Sequence, residues 1–178
     1  MKHVWLYAIG LMLLAIITFG ASPALAASAA GPYYSMPSWD QTLPASTRFI
    51  VLTNMNSEAV LDRETGLVWE QSPSNGPTSW YLAGIACIDL TKGGRDGWRL
   101  PTIQELKSLV DHTQSPVLPS GHPFSNVQSD VYWSATSFST STSYAYDVNF
   151  SDGSRGYESK GHSKYFWCVR GGQGADPQ

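Results

Sequence analysis

A short segment near the C-terminal end of the chain combines positive charge with aromatic rings, the side chains that bind anionic sugars. The predicted ligand-binding residues are Arg155, Tyr157, Lys160, His162 and Lys164. Guanidinium and ammonium groups attract sulfate groups, and an aromatic ring offers a flat apolar surface. Glu158 is the only acidic residue between Arg155 and Arg170. The segment therefore predicts a site for an anionic glycan. The alternative is a solvated hairpin whose Arg170 pairs internally.

Other chemistries lack a matching pattern of residues. An EF-hand calcium loop would need a glycine where the segment "DVNFSDGSRGYE" has it displaced to Gly153. The histidines at positions 112, 122 and 162 are scattered and do not stand at metal-ligand spacing. The nucleophile motif Gly-x-Ser-x-Gly is also missing from the sequence. We expect no metal site, no cofactor and no enzymatic activity.

The N-terminal end has the pattern of a secretory signal peptide, predicted over residues 1–26. Lys2 and His3 precede an almost unbroken apolar run, and Ala24-Leu25-Ala26 supplies the small residues of a cleavage site. The apolar run is shorter than the roughly 20 residues that span a bilayer, so no stable membrane anchor is expected after cleavage. The whole chain has a net charge of −3 and gives no reason to expect nucleic acid binding. We predict an exported protein, periplasmic or extracellular.

The chain has two cysteines, Cys87 and Cys168. Exported proteins meet an oxidising environment, so two cysteines in such a chain predict a disulfide bond. The competing interpretation is a reactive or metal-binding thiol pair. The sequence has neither the Cys-x-x-Cys spacing nor the neighbouring histidine ligands that this interpretation needs.

The elements that position these residues begin after a leader. Residues 27–46 are rich in Ala, Ser and Pro without periodicity, so we predict a flexible leader, a domain over 47–172 and a tail over 173–178. "RFIVL" predicts a strand, and "AVLDRETGLVWEQ" predicts a hairpin whose Gly66 takes a positive φ. "TSWYLAGIACIDL" is apolar around most of a helical circumference and predicts a well-buried helix that carries Cys87.

The segment "DGWRLPTIQELKSLVD" predicts a capped helix rather than a catalytic site. The predicted structural residues are Trp98, Arg99, Pro101, Thr102 and Glu105. Thr102 and Glu105 have the spacing of a capping box at the start of a helix over residues 103–110. The spacing of Ile103, Leu106 and Val110 turns these side chains to the core. It turns those of Gln104, Lys107 and Ser108 to water.

The last third of the chain changes to a period of two. "VYWSATSF", "YAYDVNF", "GSRGYES" and "KYFWCVR" predict successive antiparallel strands, with the Ser/Thr-rich "STSTS" as a connection between the first two. Strands followed by two helices and a further run of strands indicate an α+β fold.

The motifs "AVLDRETGLVWEQ", "GGRDGWRLPTIQELKSLVD", "HPF…YWSAT" and "WCVRGG" together resemble the family found as the C-terminal domain of the Legionella collagen-like adhesin. That family of unknown function is related to the C-type lectin-like fold and to the formylglycine-generating enzyme. The resemblance implies two helices packed on short antiparallel strands. It also implies a disulfide from the first helix to the last strand, which Cys87 and Cys168 match. It also implies a sulfated polysaccharide as the partner, and it leaves the activity to be argued from the site.

The function that follows is calcium-independent binding, with a polysaccharide or another surface ligand as the partner. The glycan-binding triplets of calcium-dependent lectins are missing from the sequence. A structural module that assembles a surface appendage or an oligomer is the second hypothesis, and an enzyme of the formylglycine-generating type is the third. An exposed aromatic and basic surface would favour binding, whereas a broad apolar patch would favour assembly.

Overall fold

The computed structural model describes residues 43–73 and 76–172. The predicted signal peptide, residues 27–42 of the predicted leader and the predicted tail lie outside these residues. Helices and antiparallel sheets are both present, which confirms the α+β prediction. No helix in the described part of the chain is long and apolar enough to span a membrane.

Three short helices and eight strands make up the fold of the described residues. In chain order the helices are α1 (Ala45–Arg48), α2 (Trp80–Ile88) and α3 (Ile103–Lys107), and a 3-10 helix covers Thr53–Met55. The strands are β1 (Phe49–Val51), β2 (Ala59–Asp62), β3 (Val68–Glu70), β4 (Trp98–Arg99), β5 (Val131–Phe138), β6 (Ser141–Asn149), β7 (Arg155–Ser159) and β8 (Val169–Arg170). The helix α1 was not predicted, and it begins within the predicted leader.

The strands form two antiparallel sheets. The first has the order β1-β2-β3-β8-β4, and the second has the order β5-β6-β7. The predicted hairpin is confirmed, since β2 pairs with β3 and Gly66 in their connection has a φ of 69°. A positive φ is open to glycine at no steric cost, which explains why glycine stands there.

Two strand predictions were wrong in detail. The segment "KYFWCVR" forms regular strand only at Val169–Arg170, and that strand joins the first sheet rather than the second. Residues before it are held by isolated bridges, Lys164 to Thr78 and Tyr165 to Tyr132. The predicted "STSTS" connection is shorter than expected, because β6 already begins at Ser141. Hydroxyl side chains favour loops but do not prevent strand pairing, so the hairpin closes early.

Tryptophans dominate the core of the protein. Trp69, Trp98, Trp133 and Trp167 are all nearly inaccessible to water. Trp69 and Trp167 meet edge to face with ring centroids 5.5 Å apart. Burying rings of this size contributes more apolar area than any other residue type. The prediction that Trp98 anchors the core is therefore consistent with its place.

Helix α2 is much less buried than the sequence predicted. It packs on β4 and β5 through one side, where Ala83 and Cys87 are fully buried. The opposite side is apolar but faces water, with side chains that are 54% to 69% exposed. We call these residues the apolar α2 face: Tyr81, Leu82, Ile85 and Ile88. A helix that is apolar all round is buried only on the sides where other elements pack against it. Here the sheets cover one side of α2.

Two buried contacts connect elements that are far apart in the chain. A disulfide joins Cys87 of α2 to Cys168, directly before β8, which confirms the predicted pairing. Arg48 at the end of α1 is buried and donates two hydrogen bonds to the Asp62 carboxylate, 2.9 and 2.7 Å long. It also donates to the Ser108 carbonyl at 2.9 Å. Removing one partner of such a buried pair is costly, because it leaves an uncompensated charge in the core.

The residues of the "RLPT" motif tie β4 to the start of α3. Thr102 Oγ1 accepts from the Glu105 N–H, and a Glu105 carboxylate oxygen accepts from the Thr102 N–H, so the capping box is present. Arg99 binds both Glu105 oxygens, at 2.8 and 2.7 Å, and donates to the Gly171 carbonyl. The Pro101 carbonyl accepts from the Ala135 N–H of β5 at 2.7 Å. The side chains of Arg99, Thr102 and Glu105 thus all have internal partners.

Helix α3 ends earlier than predicted, at Lys107 rather than at 110. Its predicted core positions Ile103 and Leu106 are buried, as is Val110 beyond its end. The prediction that Ser108 faces water was wrong. Its hydroxyl donates to the Glu105 carbonyl at 2.7 Å, so the side chain is satisfied in the core.

Candidate functional site

The second sheet presents a cluster of aromatic rings and one arginine on one side. In the antiparallel pairing of β6 with β7, Tyr146 lies opposite Tyr157, and Val148 lies opposite Arg155. Residues opposite one another, and those two positions along, project from the same face of a sheet. We call this surface the outer aromatic face. Its members are Phe138, Tyr144, Tyr146, Arg155 and Tyr157.

The rings of the outer aromatic face contact one another closely. Phe138 and Tyr157 are stacked with centroids 4.1 Å apart and planes inclined by 12°. Tyr146 meets Phe138 edge to face at 5.4 Å, and Tyr144 lies 6.2 Å from Tyr157. Tyr157 remains 55% exposed and Tyr144 38% exposed. The face is therefore a packed, pre-formed platform with two accessible phenol rings.

Arg155 is the positive charge of this platform. Its guanidinium carbon lies 5.1 Å from the centroid of the Tyr146 ring, and the residue is exposed. Among the described residues it forms no ion pair with a carboxylate. A guanidinium held over a ring keeps its edge N–H groups free for a carboxylate or sulfate group.

Lys160, also predicted as a ligand-binding residue, lies inside the protein. Its side chain is only 6% exposed, and its Nζ is 3.8 Å from the Trp80 ring centroid. Nζ also donates to Ser137 Oγ at 2.8 Å. Burial lowers the pKa of the Lys160 ammonium group. This lysine connects the second sheet to α2 and offers little surface to a ligand.

Lys164 lies on the other side of the second sheet from Arg155. Its Nζ is 3.2 Å from an Asp147 carboxylate oxygen and 5.3 Å from the Trp133 ring centroid. Burial raises the pKa of the Asp147 carboxyl, although the Lys164 charge opposes that effect. The pair leaves little net charge for a ligand. Gly156 makes room for it, since a Cβ there would lie 2.6 Å from an Asp147 oxygen.

His162 is exposed but paired within its own hairpin. Its Nδ1 lies 3.2 Å from a Glu158 carboxylate oxygen. The pKa of Glu158 is lowered, mainly by the hydrogen bond from the Ser159 N–H and also by His162, while burial acts in the opposite direction. The structure thus brings Arg155 and Tyr157 together on one surface. It does not bring Lys160, His162 and Lys164 onto that surface as free charges.

The segment that resembled an EF-hand loop forms a turn. The Asn149 side-chain oxygen accepts from both the N–H and the hydroxyl of Ser151, at 2.9 and 2.7 Å. In the described ranges no group of three His, Cys, Asp or Glu side chains is placed to hold a metal ion. His122 accepts from the Phe124 N–H and stacks on the Phe124 ring, and burial lowers its pKa.

Sequence reasoning found two of the five members of the outer aromatic face and missed Phe138, Tyr144 and Tyr146. The strand period alone would have placed Tyr144, Tyr146 and Val148 on one side of β6. The missing information was the register with β7, which aligns that side with Arg155 and Tyr157. The register between two strands depends on the turn that joins them, so it cannot be read from the sequence of one strand.

Comparisons with known proteins bear on this arrangement. A search of the curated proteins found no match. Residues 58–170 match the family of the Lcl C-terminal domain. The matched region covers more than half of the 178 residues and contains every member of the outer aromatic face. Both cysteines of the disulfide also lie within it. The chain belongs to the Lcl C-terminal domain family.

Proposed function

We propose that this protein is an exported, non-enzymatic domain that binds an anionic polysaccharide through the outer aromatic face, without calcium. The observation that carries the proposal is the exposed Arg155 guanidinium over Tyr146, beside the exposed Tyr157 ring. The family is adhesin-like, and the disulfide is compatible with an oxidising compartment outside the cytoplasm. The role requires recognition only, with no chemical step.

A sulfated or carboxylated sugar fits both parts of this surface. The apolar face of a sugar ring covers a phenol ring, and the anionic substituent reaches a guanidinium in the geometry that two parallel N–H donors favour. A ring pair that is already stacked loses little side-chain freedom on binding. The contact relies on one exposed charge, so it weakens with salt, because charges at a surface are screened within about 8 Å at physiological ionic strength.

The test is the affinity of the mature protein for dextran sulfate, measured at low and high salt. We expect Arg155→Ala to weaken binding by at least roughly tenfold, since a hydrogen bond to a charged group contributes about 1.5–3 kcal/mol. Tyr157→Ala should weaken it by a similar factor. Lys107→Ala is the matched control, because it removes an exposed positive charge on α3.

The proposal predicts two further results in the same experiment. Chelation of calcium should leave the affinity unchanged, and uncharged dextran should not compete. If wild-type protein fails to bind at low salt, or if Arg155→Ala and Tyr157→Ala bind as well as Lys107→Ala, this surface is not a polyanion site. Circular dichroism of each variant separates a loss of binding from a loss of folding.

The same proposal includes the finer description of the fold as C-type lectin-like. It is supported by the disulfide between α2 and the residue before β8, and by the place of β8 between β3 and β4. The family resemblance implies such a bridge between the first long helix and the last strand. An experimental structure that superposes on lectin-like domains with this bridge in common would support it, and a different strand order would refute it.

A second candidate function is assembly, which the apolar α2 face favours. Four large side chains that are each more than half exposed form a patch on the order of 400 Å², within the range of functional patches on monomers. Two copies packed through it would bury about 800 Å², and the polar rim would add area towards the roughly 1,200 Å² of stable interfaces.

Light scattering after size-exclusion chromatography tests the assembly function. We expect the wild-type protein to self-associate and Ile85→Asp to be monomeric, because the new charge would be buried in the contact. Ile50→Asp is the control, since Ile50 is an exposed apolar residue on β1. A wild-type protein that stays monomeric at high concentration excludes this candidate and leaves the polysaccharide proposal untouched.

A further inference from the structure

A cleft lies near the start of β5, at the opposite end of that strand from the outer aromatic face. It has a volume of about 490 Å³ and is bordered by the residues after β3, by the loop before β5, and by Tyr165 and Phe166. This volume is typical of small-molecule sites, which measure about 300 to 1,000 Å³. Tyr132 lies in the cleft and Phe138 on the outer face, so roughly 20 Å of strand separates the two.

The walls of the cleft are fixed by side-chain amides. Gln71 donates to the Pro123 carbonyl at 2.7 Å and accepts from the Ser125 hydroxyl at 3.2 Å. Asn126 donates to Ser72 Oγ at 2.8 Å, across the cleft from one loop to the other. Asn126 has a φ of 56°, an uncommon conformation for a residue with a side chain. The loop is held in that conformation by its contacts, so the cleft is formed before any ligand arrives.

Tyr132 supplies a buried hydrogen-bond donor to the cleft. The residue is 1% exposed, and its hydroxyl oxygen accepts from the Gln128 N–H at 2.7 Å. The hydroxyl proton has no acceptor among the described residues. Burial raises the pKa of Tyr132 to about 12, so the hydroxyl stays protonated and remains a donor. A buried donor without a partner is costly, and a ligand oxygen would satisfy it.

The other polar groups of the cleft are also neutral. The Tyr165 hydroxyl, the Gln128 amide oxygen and the Asn126 amide oxygen make no hydrogen bond to any residue that the structure describes. None of the described residues that border the cleft carries a charge. The Tyr165 ring, which packs against Tyr132 with centroids 5.7 Å apart, adds an apolar surface.

We propose that this cleft binds a neutral saccharide unit, at a site separate from the outer aromatic face. Sugar hydroxyl groups both donate and accept, which matches a set of amide oxygens and phenol hydroxyls, and the apolar face of the ring matches the Tyr165 ring. An anionic ligand would find no cation in this cleft. A peptide would place backbone N–H and C=O groups in fixed rows, whereas the polar groups here come from three separate segments.

Saturation-transfer NMR on the mature protein tests this site. The probes are glucose, galactose, mannose, fucose and N-acetylglucosamine, together with a tri-alanine peptide. We expect at least one sugar to receive saturation, with the same intensity at low and high salt, because no charge takes part. This salt independence separates the cleft from the polyanion surface, so failure of either proposal leaves the other standing.

Three variants locate the bound sugar. Asn126→Gly removes the amide and suits the positive φ, Tyr165→Phe removes only a hydroxyl, and Gln128→Ala removes the second amide. Each should weaken binding by a factor of about 3 to 10, as for one hydrogen bond between neutral groups. Gln104→Ala, an exposed amide on α3, is the matched control and should bind as wild type does.

Several results would overturn the assignment. If no sugar in the panel receives saturation, the cleft does not bind neutral saccharides. If a sugar binds but the three cleft variants retain wild-type affinity, the sugar is bound elsewhere. If tri-alanine receives saturation and displaces the sugar, the cleft recognises backbone amides instead. Thermal unfolding of each variant shows whether a lost signal reflects lost structure.

Discussion

Replacing Glu70 by glutamine should remove a loss of stability that the wild-type protein undergoes as pH rises from about 5 to about 8. Glu70 ends β3 and is fully buried. One carboxylate oxygen accepts from the Cys168 N–H at 2.9 Å, and the other has no hydrogen-bond partner among the described residues. Burial raises the pKa of this carboxyl to about 7, although the Cys168 hydrogen bond and Lys92 act in the opposite direction.

The size of the effect follows from the two pKa values of Glu70. In the unfolded chain the carboxyl ionises near its ordinary value of 4.5, whereas in the folded protein it ionises near 7. As pH rises between these values, the unfolded state gains charge first, so folding loses about 1.4 kcal/mol per pH unit. The loss is absent below the lower value and constant above the higher one. From about pH 5 to about pH 8 it amounts to about 2 to 3 kcal/mol.

Urea unfolding of the wild type and Glu70→Gln at these two pH values measures the effect. Glutamine keeps an acceptor for the Cys168 N–H and cannot ionise. The difference in unfolding free energy between variant and wild type should move by about 2 to 3 kcal/mol in favour of the variant as pH rises. Asp89→Asn, which removes an exposed acid at the end of α2, should show a change below about 0.5 kcal/mol. A difference for Glu70→Gln that is the same at both pH values would refute the reasoning.

Three further substitutions test the scaffold. Thr102→Ala should cost about 1 kcal/mol through loss of the helix cap, and Thr102→Ser should restore most of it, as denaturant titration will show. Lys160→Ala should lower the unfolding free energy by about 1 to 3 kcal/mol, because it removes the contact with Trp80, and an unchanged midpoint would contradict that contact. Gly153→Ala should lower the melting temperature, since its φ is 77° and a Cβ would lie 2.6 Å from His112; a wild-type melting temperature would show that the turn adapts.

The features predicted well from the sequence depend on a few neighbouring residues. The capping box needs only Thr102 and Glu105, three residues apart, and the hairpin turn needs a glycine at position 66. Each pattern satisfies its own backbone hydrogen bonds, so tertiary contacts do not alter it. The disulfide could be predicted from the number of cysteines, because the sequence contains only Cys87 and Cys168.

The features predicted poorly depend on residues far apart in the chain. Lys160 was counted as a surface charge, but Trp80, 80 positions earlier, supplies a ring for it to rest on. The composition of α2 indicated burial, but it could not show that the sheets cover only the side of Ala83 and Cys87. The strand at Val169 looked like the next member of a meander, whereas it pairs with β3 and β4 of the other sheet. A local sequence pattern does not show which distant residue or strand will form the contact.

The place of β8 between β3 and β4 also sets the order in which this domain can fold during synthesis. Both neighbouring strands are made long before Val169, and neither pairs with the other without it. While the chain is growing, the strands of Trp69 and Trp98 lack the strand that pairs with both of them, and Cys87 lacks its partner. Contacts that close such long stretches of chain form slowly and late. The growing chain therefore cannot complete its first sheet until its last strand has been made.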